Sequence, residues 1–519
     1  MKKTLKMYYT SDTHSYLFPT DYINKEEKNM GVLSCIHEFE KDGNTLILDG
    51  GDTIQGSALA KYMWSNVEEG CMVAEVFNSA PYDYVTLGNH DFNYDYSGMA
   101  QYLNTLNAEC VVANVVDKTN ELGLKPYVIH ILENGLKVGL VGIVTDYVNL
   151  WEKTEHLTHF EVKDTFEAAK SALEEVKGQC DVTVCIYHGG FECDLETGKL
   201  LAKGKENVGY RICKELDFDI LLTAHQHMPV EGRMLHGTYT LQLPANGQKY
   251  AEVSVEVAED GTLEITSECK VPAAIKMNAD FIKEMVHPQV KDRVDNWLET
   301  QEKVQVWLDQ KLGGFTEEIP ALSKLDLALH GSRLADFCNQ IQLEFTGADF
   351  SCTGLGNNPM GFAKEVTTRD VMGAYQFPNT IKVLEIDEAL LRRALERAAE
   401  YYTLKEDGEI EISECFIYPK VEHYNYDFFA GMSYTFDLTK PVGERVVEIL
   451  KDGKPLENRK YTIAMSDYRA TGTGGYECYQ ECPIVKEYDV DIQALAIEYI
   501  SKREAVEIKV QSGLTLKTK

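Results

Sequence analysis

The chain has 519 residues, more than one hydrophobic core ordinarily serves, so two large domains are expected. Apolar residues make up 44% and aromatic residues 10%, which excludes a disordered chain. Lys and Arg total 51 against 83 Asp and Glu. The net charge of −32 argues against partners such as long nucleic acid or an anionic membrane, while a metal ion can still present a small phosphate to such a protein.

The N-terminal stretch MKKTLKMYYTSDTH has lysines but no apolar signal core, and reads as a strand running into a motif. No run of the sequence suits a transmembrane segment. The 13 cysteines are scattered and odd in number, as reduced, mostly buried thiols are. A cytoplasmic protein is therefore expected. Cys478 and Cys482 in CYQEC lack a second pair and are not read as a zinc site.

Residues 1–270 alternate apolar runs with amphipathic ones. The apolar runs are KMYYT, TLILDGGD, DYVTLGNHD, CVVANVV, KVGLVGIV, DVTVCIYHGG, DILLTAHQH and YTLQLPA; the helical patterns include MGVLSCIHEFEKDG, DTFEAAKSALEEVKG and VGYRICKELD. Strands alternating with helices predict a layered α/β domain, closed by the hairpin AEVSVEVAEDGTLEITSE. Residues 271–315 read as a charged, helical connector interrupted only by Pro288. Residues 316–519 carry a second α/β pattern, with the helix DEALLRRALERAAEYY and the strands IKVLEI, GMSYTFD, RVVEIL and YTIAMSD.

Five of the N-terminal runs stop at metal-binding residue types. YYTSDTHS offers Asp12 and His14, two apart on an extended chain and so on one face. LDGGDT offers Asp52, LGNHD offers Asn89 and His90, IYHGG offers His188, and TAHQHM offers His225 and His227. Ligands of open α/β sheets collect outside the carboxyl ends of the strands, so the five runs would deliver their donors to one crevice. Each alone has a bland reading: a strand-final His is commonly a hydrogen-bonded structural residue, and Gly-Asp or Gly-Asn a turn. Their succession, each after an apolar run, favours a metal centre.

The series resembles the calcineurin-like metallophosphoesterases, and within them the 5′-nucleotidase and 2′,3′-cyclic-nucleotide 2′-phosphodiesterase family. The resemblance covers nearly the whole chain. It implies a four-layer α/β/β/α metallophosphoesterase domain over 1–270, a helical linker over 271–315, and an α/β nucleotide-binding domain over 316–519. It further implies two divalent cations, of Mn, Zn, Fe or Co. Asp12, His14 and His227 would hold one, Asn89, His188 and His225 the other, and Asp52 would bridge them. The implied reaction is hydrolysis of a small nucleotide phosphoester by a metal-bridging hydroxide, with His90 the catalytic histidine and Asn89 beside the substrate. The alternatives are a metallophosphatase of a non-nucleotide ester, or a nucleotide-binding protein without turnover.

One position departs from the 5′-nucleotidase pattern. Where many relatives place an Asp three residues after the catalytic histidine, this sequence has Asn93. An amide can orient the ring but lacks a carboxylate's charge; Asp91 is the nearby carboxylate that could compensate. In the C-terminal part, YQFPNT supplies Phe377 and Asn379 and SDYRATGTGGYE supplies Tyr468. The resemblance implies that the two rings sandwich the base and that Asn379 reads its edge; buried core rings are the alternative. The loop SCTGLGNNPMGF lacks the family's Arg, leaving Arg333 and Arg469 as cationic candidates.

Overall fold

Val182–His188 (VTVCIYH) is buried at every position, and Lys137–Val144 (KVGLVGIV) at all but its first. Strands of that kind belong inside a parallel sheet covered on both faces, and both lie there. The structure, a computed structural model, describes all residues except Met1, 67–70, 202–203, 376–378, 419 and 511–512. The chain divides into two compact units, Met1–Gln305 and Val306–Lys519.

The first unit holds two six-stranded sheets. One runs Leu263–Lys270, Tyr250–Val257, Lys3–Thr10, Thr45–Asp49, Tyr84–Val85, Glu109–Cys110; the last four strands are mutually parallel. The other runs Val230–Leu235, Thr238–Gln242, Ile220–Thr223, Val182–His188, Lys137–Val144, Tyr127–Ile131, parallel through its middle and antiparallel at both edges. Their inner faces meet in one core, in which Met7, Tyr9 and Leu48 join Leu140, Val184, Ile186 and Leu222. The outer face of the second sheet buries Ile143, Cys185 and Leu221 against Phe166, Leu173 and Ile212 of the helices Thr165–Val176 and Gly209–Glu215. With the helices Met72–Phe77 and Asp95–Thr105 also in this unit, the expected helix–sheet–sheet–helix fold is present. The edge strands Tyr127–Ile131 and Val230–Leu235 escape the sequence reading because their exposed positions dilute the apolar signal.

Most of the stretch read as a connector is helical, in Ala279–Met285, a 3₁₀ turn Pro288–Arg293 with the proline at its start, and Val294–Leu308, but its end, Lys311–Gly314, is a strand paired antiparallel with Glu365–Thr367. The residues of this stretch up to Gln305 belong to the first unit. Trp297 is 1% exposed, and its indole N–H donates to Glu75 Oε2 at 2.8 Å, while Arg293 Nε donates to Glu75 Oε1 at 3.0 Å.

The second unit is built on a five-stranded sheet ordered Asp427–Ala430, Phe350–Gly354, Tyr461–Ser466, Thr380–Ile386, Ile484–Asp491, with a separate four-stranded sheet containing Ser433–Asp437 and Val446–Lys451. The helix Glu388–Ala399, N-capped by Asp387, buries Leu391, Ala394, Leu395 and Ala398. Cys478 and Cys482 are buried, and the Cys482 thiol donates to the Cys478 carbonyl at 3.6 Å.

Candidate functional site

In the first unit the strands ending at Thr10, Asp49, Val85, His188 and Thr223 all run into the site loops. At three of these exits, after Thr10, Asp49 and Thr223, the chain turns sharply. Asp12, His14, Asp52, His225 and His227 all adopt positive φ, between 48° and 71°. Such left-handed backbone costs roughly 1–3 kcal/mol for a non-glycine residue and persists only where surrounding bonds enforce it.

At Asp52 those bonds come from Asp91, while the Asp12 and His14 N–H groups donate to the Gly51 and Asp52 carbonyls and the His225 N–H to Asp12 Oδ1. The buried Asp91 carboxylate accepts four backbone N–H groups: Asp52 at 2.9 Å, Thr53 at 2.8 Å, Ile54 at 3.1 Å and Gly88 at 2.8 Å. The loop that carries Asp52 is thereby tied to the loop that carries Asn89 and His90. Asp91 is committed to main chain, so it does not stand in for the missing dyad carboxylate.

Six of the seven expected ligands come together; the seventh, Asn89, is buried at the start of the 3₁₀ turn that follows Gly88. One ligand atom from each of Asp12, His14, Asp52 and His227 lies within 4.8 Å of the others, and the same holds for Asp52, His188 and His225. Asp52 belongs to both groups. Its Oδ2 is 3.2 Å from His188 Nε2 and 3.9 Å from His14 Nε2, while its Oδ1 accepts the His90 N–H at 2.7 Å.

The ring tautomers are set from outside the cluster. His14 Nδ1 donates to the Gln55 carbonyl at 2.8 Å and His188 Nδ1 to the Gly50 carbonyl at 2.7 Å. Because a carbonyl only accepts, each ring carries a proton on Nδ1 and turns its Nε2 inward. His225 Nε2 faces Glu206 Oε1 at 2.8 Å and, because a carboxylate only accepts, carries a proton there. The Trp151 ring stacks on His225, with centroids 5.5 Å apart and planes 25° apart.

A divalent cation fits these residues. Asp12 Oδ2 and Asn89 Oδ1 are buried with no hydrogen-bond partner, and Asp52 Oδ2 and His188 Nε2, equally buried, face each other at 3.2 Å with no other hydrogen-bond partner. Left that way, the first two would each carry a desolvation penalty of about 1–3 kcal/mol or more. His14 Nε2 also stands 3.0 Å from His227 Nε2, so the two rings turn these nitrogens to one point. Imidazole, carboxylate and amide donors without a thiolate suit a borderline divalent ion. In the cluster, burial pushes the His14 imidazole down to about 4, the Asp52 carboxylate opposing. Burial opposes charge on His188 too, but there the Asp52 carboxylate prevails and raises it to about 10. Burial likewise raises Asp12, yet the His227 and His188 imidazoles outweigh it and hold the carboxyl at about 2.

His90 lies beside the cluster, its ring centroid 5.6 Å from that of His14. Its Nδ1 is 2.8 Å from Asn93 Oδ1, and Asn93 Nδ2 donates to Glu152 Oε2 at 2.6 Å. Glu152, Glu206 and Trp151 are absent from the sequence reading: they stand on loops and a short helix with no motif spacing to mark them.

In the second unit, Asn379 immediately precedes the strand Thr380–Ile386, and Tyr468 stands in the short helix Asp467–Ala470 that follows the strand Tyr461–Ser466; the two strands pair antiparallel, Ile381 opposite Ser466. Phe377 lies outside the described residues. Arg469 is 4% exposed, and its guanidinium is spent on Asp427 (Nε to Oδ2 2.8 Å), the carbonyls of Tyr424 and Thr473, and Asn425. This corrects its reading as a substrate cation: it is a buried structural ion pair. Arg333 is ion-paired with Glu317.

Residues 5–229 match the family described as calcineurin-like phosphoesterase, and residues 312–481 the family described as 5′-nucleotidase, C-terminal domain. The trifunctional nucleotide phosphoesterase protein YfkN of Bacillus subtilis is 23% identical over 98% of this chain, which spans 38% of that protein's length. A 2′,3′-cyclic-nucleotide 2′-phosphodiesterase/3′-nucleotidase of Haemophilus influenzae is 24% identical over 90% of this chain and 80% of its own. Among solved structures, a Staphylococcus aureus protein provisionally named a 5′-nucleotidase superimposes with a TM-score of 0.87 at 29% identity, covering 99% of this chain and 100% of that one. The 5′-nucleotidase precursor of Thermus thermophilus shares the fold, with a TM-score of 0.67 at 18% identity and full coverage of both chains (100%).

Proposed function

Since this chain belongs to the calcineurin-like phosphoesterases that carry a 5′-nucleotidase C-terminal domain, a family of metal-dependent phosphoric ester hydrolases, we propose that it hydrolyses nucleotide phosphoesters at a two-metal centre. The substrate class in this reading is 2′,3′-cyclic, 3′- or 5′-nucleotides. The observation that carries it is Asp52, a fully buried carboxylate common to two donor groups. In this reading Asp12, His14 and His227 hold one ion, Asn89, His188 and His225 the other, and Asp52 both. The donor set is compatible with Mn, Zn, Fe or Co.

Bound divalent ions would supply an activated water and neutralise phosphate charge. The chain's own contribution is orientation and proton handling. The carbonyls of Gln55 and Gly50 keep His14 and His188 pointed inward. Asn93 accepts from His90 Nδ1, so a second proton on this ring can sit only on Nε2, from which it can pass to the leaving oxygen. Phe377, Asn379 and Tyr468 bind the base, and residues 316–519 form the substrate-binding part. The thirteen unpaired thiols, nine of them buried, support the further reading that the protein works in a reducing, cytoplasmic compartment.

A substrate panel with Mn²⁺ tests the proposal. Hydrolysis of 2′,3′-cyclic AMP, 3′-AMP or 5′-AMP in preference to a non-nucleotide ester is expected. Preference for the non-nucleotide ester would overturn the substrate class, and nucleotide binding without turnover would overturn the activity.

A further inference from the structure

We propose that Glu152 is the positioning residue for His90, fixing through the Asn93 amide which imidazole nitrogen is left for the reacting phosphate. The inference rests on the phosphoesterase reading of the site. Glu152 follows the short helix Val148–Trp151, whose last residue stacks on His225. One turn of chain therefore touches both the metal cluster and the His90 side of the site. The Glu152 side chain is only 6% exposed. Its polar contacts are the Asn93 amide at Oε2 (2.6 Å), the Lys153 N–H at Oε1 (2.8 Å) and His156 Nδ1 at Oε1 (2.8 Å).

The argument is one of hydrogen-bond polarity. A carboxamide has a donating and an accepting end of nearly the same shape, so its partners decide which way it faces. Glu152 can only accept, so the NH₂ of Asn93 must face it. Oδ1 then faces His90, and His90 Nδ1 must carry a proton at that 2.8 Å contact. Without Glu152 the amide is free to turn and offer its NH₂ to Nδ1, which would favour the opposite tautomer and oppose a doubly protonated ring. Asn93 by itself is thus ambivalent. With a buried carboxylate behind it, it acts as a fixed acceptor, reproducing through one intervening amide the orientation that a directly bonded Asp would impose.

Two measurements test this. In the metal-free protein, ¹⁵N spectra of labelled histidine, with His90 assigned by difference against His90→Gln, should show Nδ1 protonated and Nε2 bare. Glu152→Ala should lose that pattern. In the metal-loaded enzyme, Glu152→Ala should lower kcat about tenfold or more while KM and metal content stay within about twofold. Asn93→Asp should also lower kcat, because it sets two carboxylates face to face. Asn93→Asp combined with Glu152→Gln restores an acceptor toward His90 and a donor toward that acceptor, and should recover most of the wild-type rate. An unchanged His90 tautomer in Glu152→Ala, or a double variant whose losses simply multiply, would overturn the proposal. If the wild type hydrolyses nothing in the panel, the functional reading falls, and the spectroscopic result still decides the role of Glu152.

Discussion

Asp91→Asn is the substitution that most directly probes how the centre is built. The side chain is fully buried and keeps its size in the change. In the native protein Oδ2 accepts the N–H groups of Asp52 and Gly88, and Oδ1 those of Thr53 and Ile54. An asparagine retains one oxygen, so two of the four amides meet an NH₂ instead of an acceptor. Each lost charge-assisted bond is worth about 1.5–3 kcal/mol, which puts the destabilisation at roughly 3–6 kcal/mol. That is a large part of an ordinary folding free energy. The damage also falls where Asp52 is held at φ 57°, so the carboxylate proposed to bridge the ions should lose its placement. Urea unfolding followed by tryptophan fluorescence, with metal content measured on the same samples, reads both effects. A midpoint close to wild type with full metal retention would refute the reasoning, because it would mean that the four amides do not depend on this carboxylate.

Asp52→Asn should abolish turnover and reduce bound metal while circular dichroism stays native; full activity with two ions retained would remove Asp52 from the bridging role. Phe377→Ala and Tyr468→Ala should each remove a stacking face worth about 1–3 kcal/mol, lowering kcat/KM for nucleotides roughly tenfold to a hundredfold and leaving a small aryl phosphate nearly unaffected. Equal losses on both substrates would make the rings supports of the fold. Burial pushes the Lys324 ammonium from its ordinary 10.5 down to about 7, with the Leu355 carbonyl as its hydrogen-bond acceptor at 2.7 Å. Between those two values the unfolded chain holds a proton the folded chain lacks, so this group makes stability rise with pH from about 7 to about 10.5. Lys324→Met should flatten that rise and stabilise the protein at neutral pH by no more than roughly 5 kcal/mol; thermal melts across the window check both.

The parts of the site legible in the sequence are those written at strand ends. Asp12, His14, Asp52, Asn89, His188, His225 and His227 each follow an apolar run, and parallel strands bring their carboxyl ends to one edge. The orienting partners were not legible. Glu206 and Glu152 reach the site from loops far from the motifs they serve, and a lone glutamate in a polar stretch has no periodicity. Asp91 is legible as a carboxylate that alternation can aim away from His90, but the main chain it holds is not. In an extended chain Asp91 would alternate away from His90, whereas the 3₁₀ turn Asn89–Phe92 folds it back under the Asp52 loop. Arg469 misled for the opposite reason: its glycine-rich context suggests a substrate loop, yet Asp427, 42 residues earlier, neutralises it in the core.

The same orienting contacts say how the centre should respond to loss of metal. His14 and His188 are aimed by backbone carbonyls, and Asp52 by amides that Asp91 holds. None of these bonds runs through an ion. The ligands are therefore placed by the fold itself, unlike small domains whose folding free energy is the binding energy of their metal. Removing divalent ions with a chelator should then abolish activity while leaving secondary structure and a cooperative melt in place. The melting temperature should fall only by the linkage expected for ligand loss, about 2.7 kcal/mol for an ion present at a hundred times its Kd. Restored Mn²⁺ should return activity without a refolding delay. Collapse of the near-ultraviolet dichroism on chelation would mean instead that the cation, and not the main chain, organises these loops.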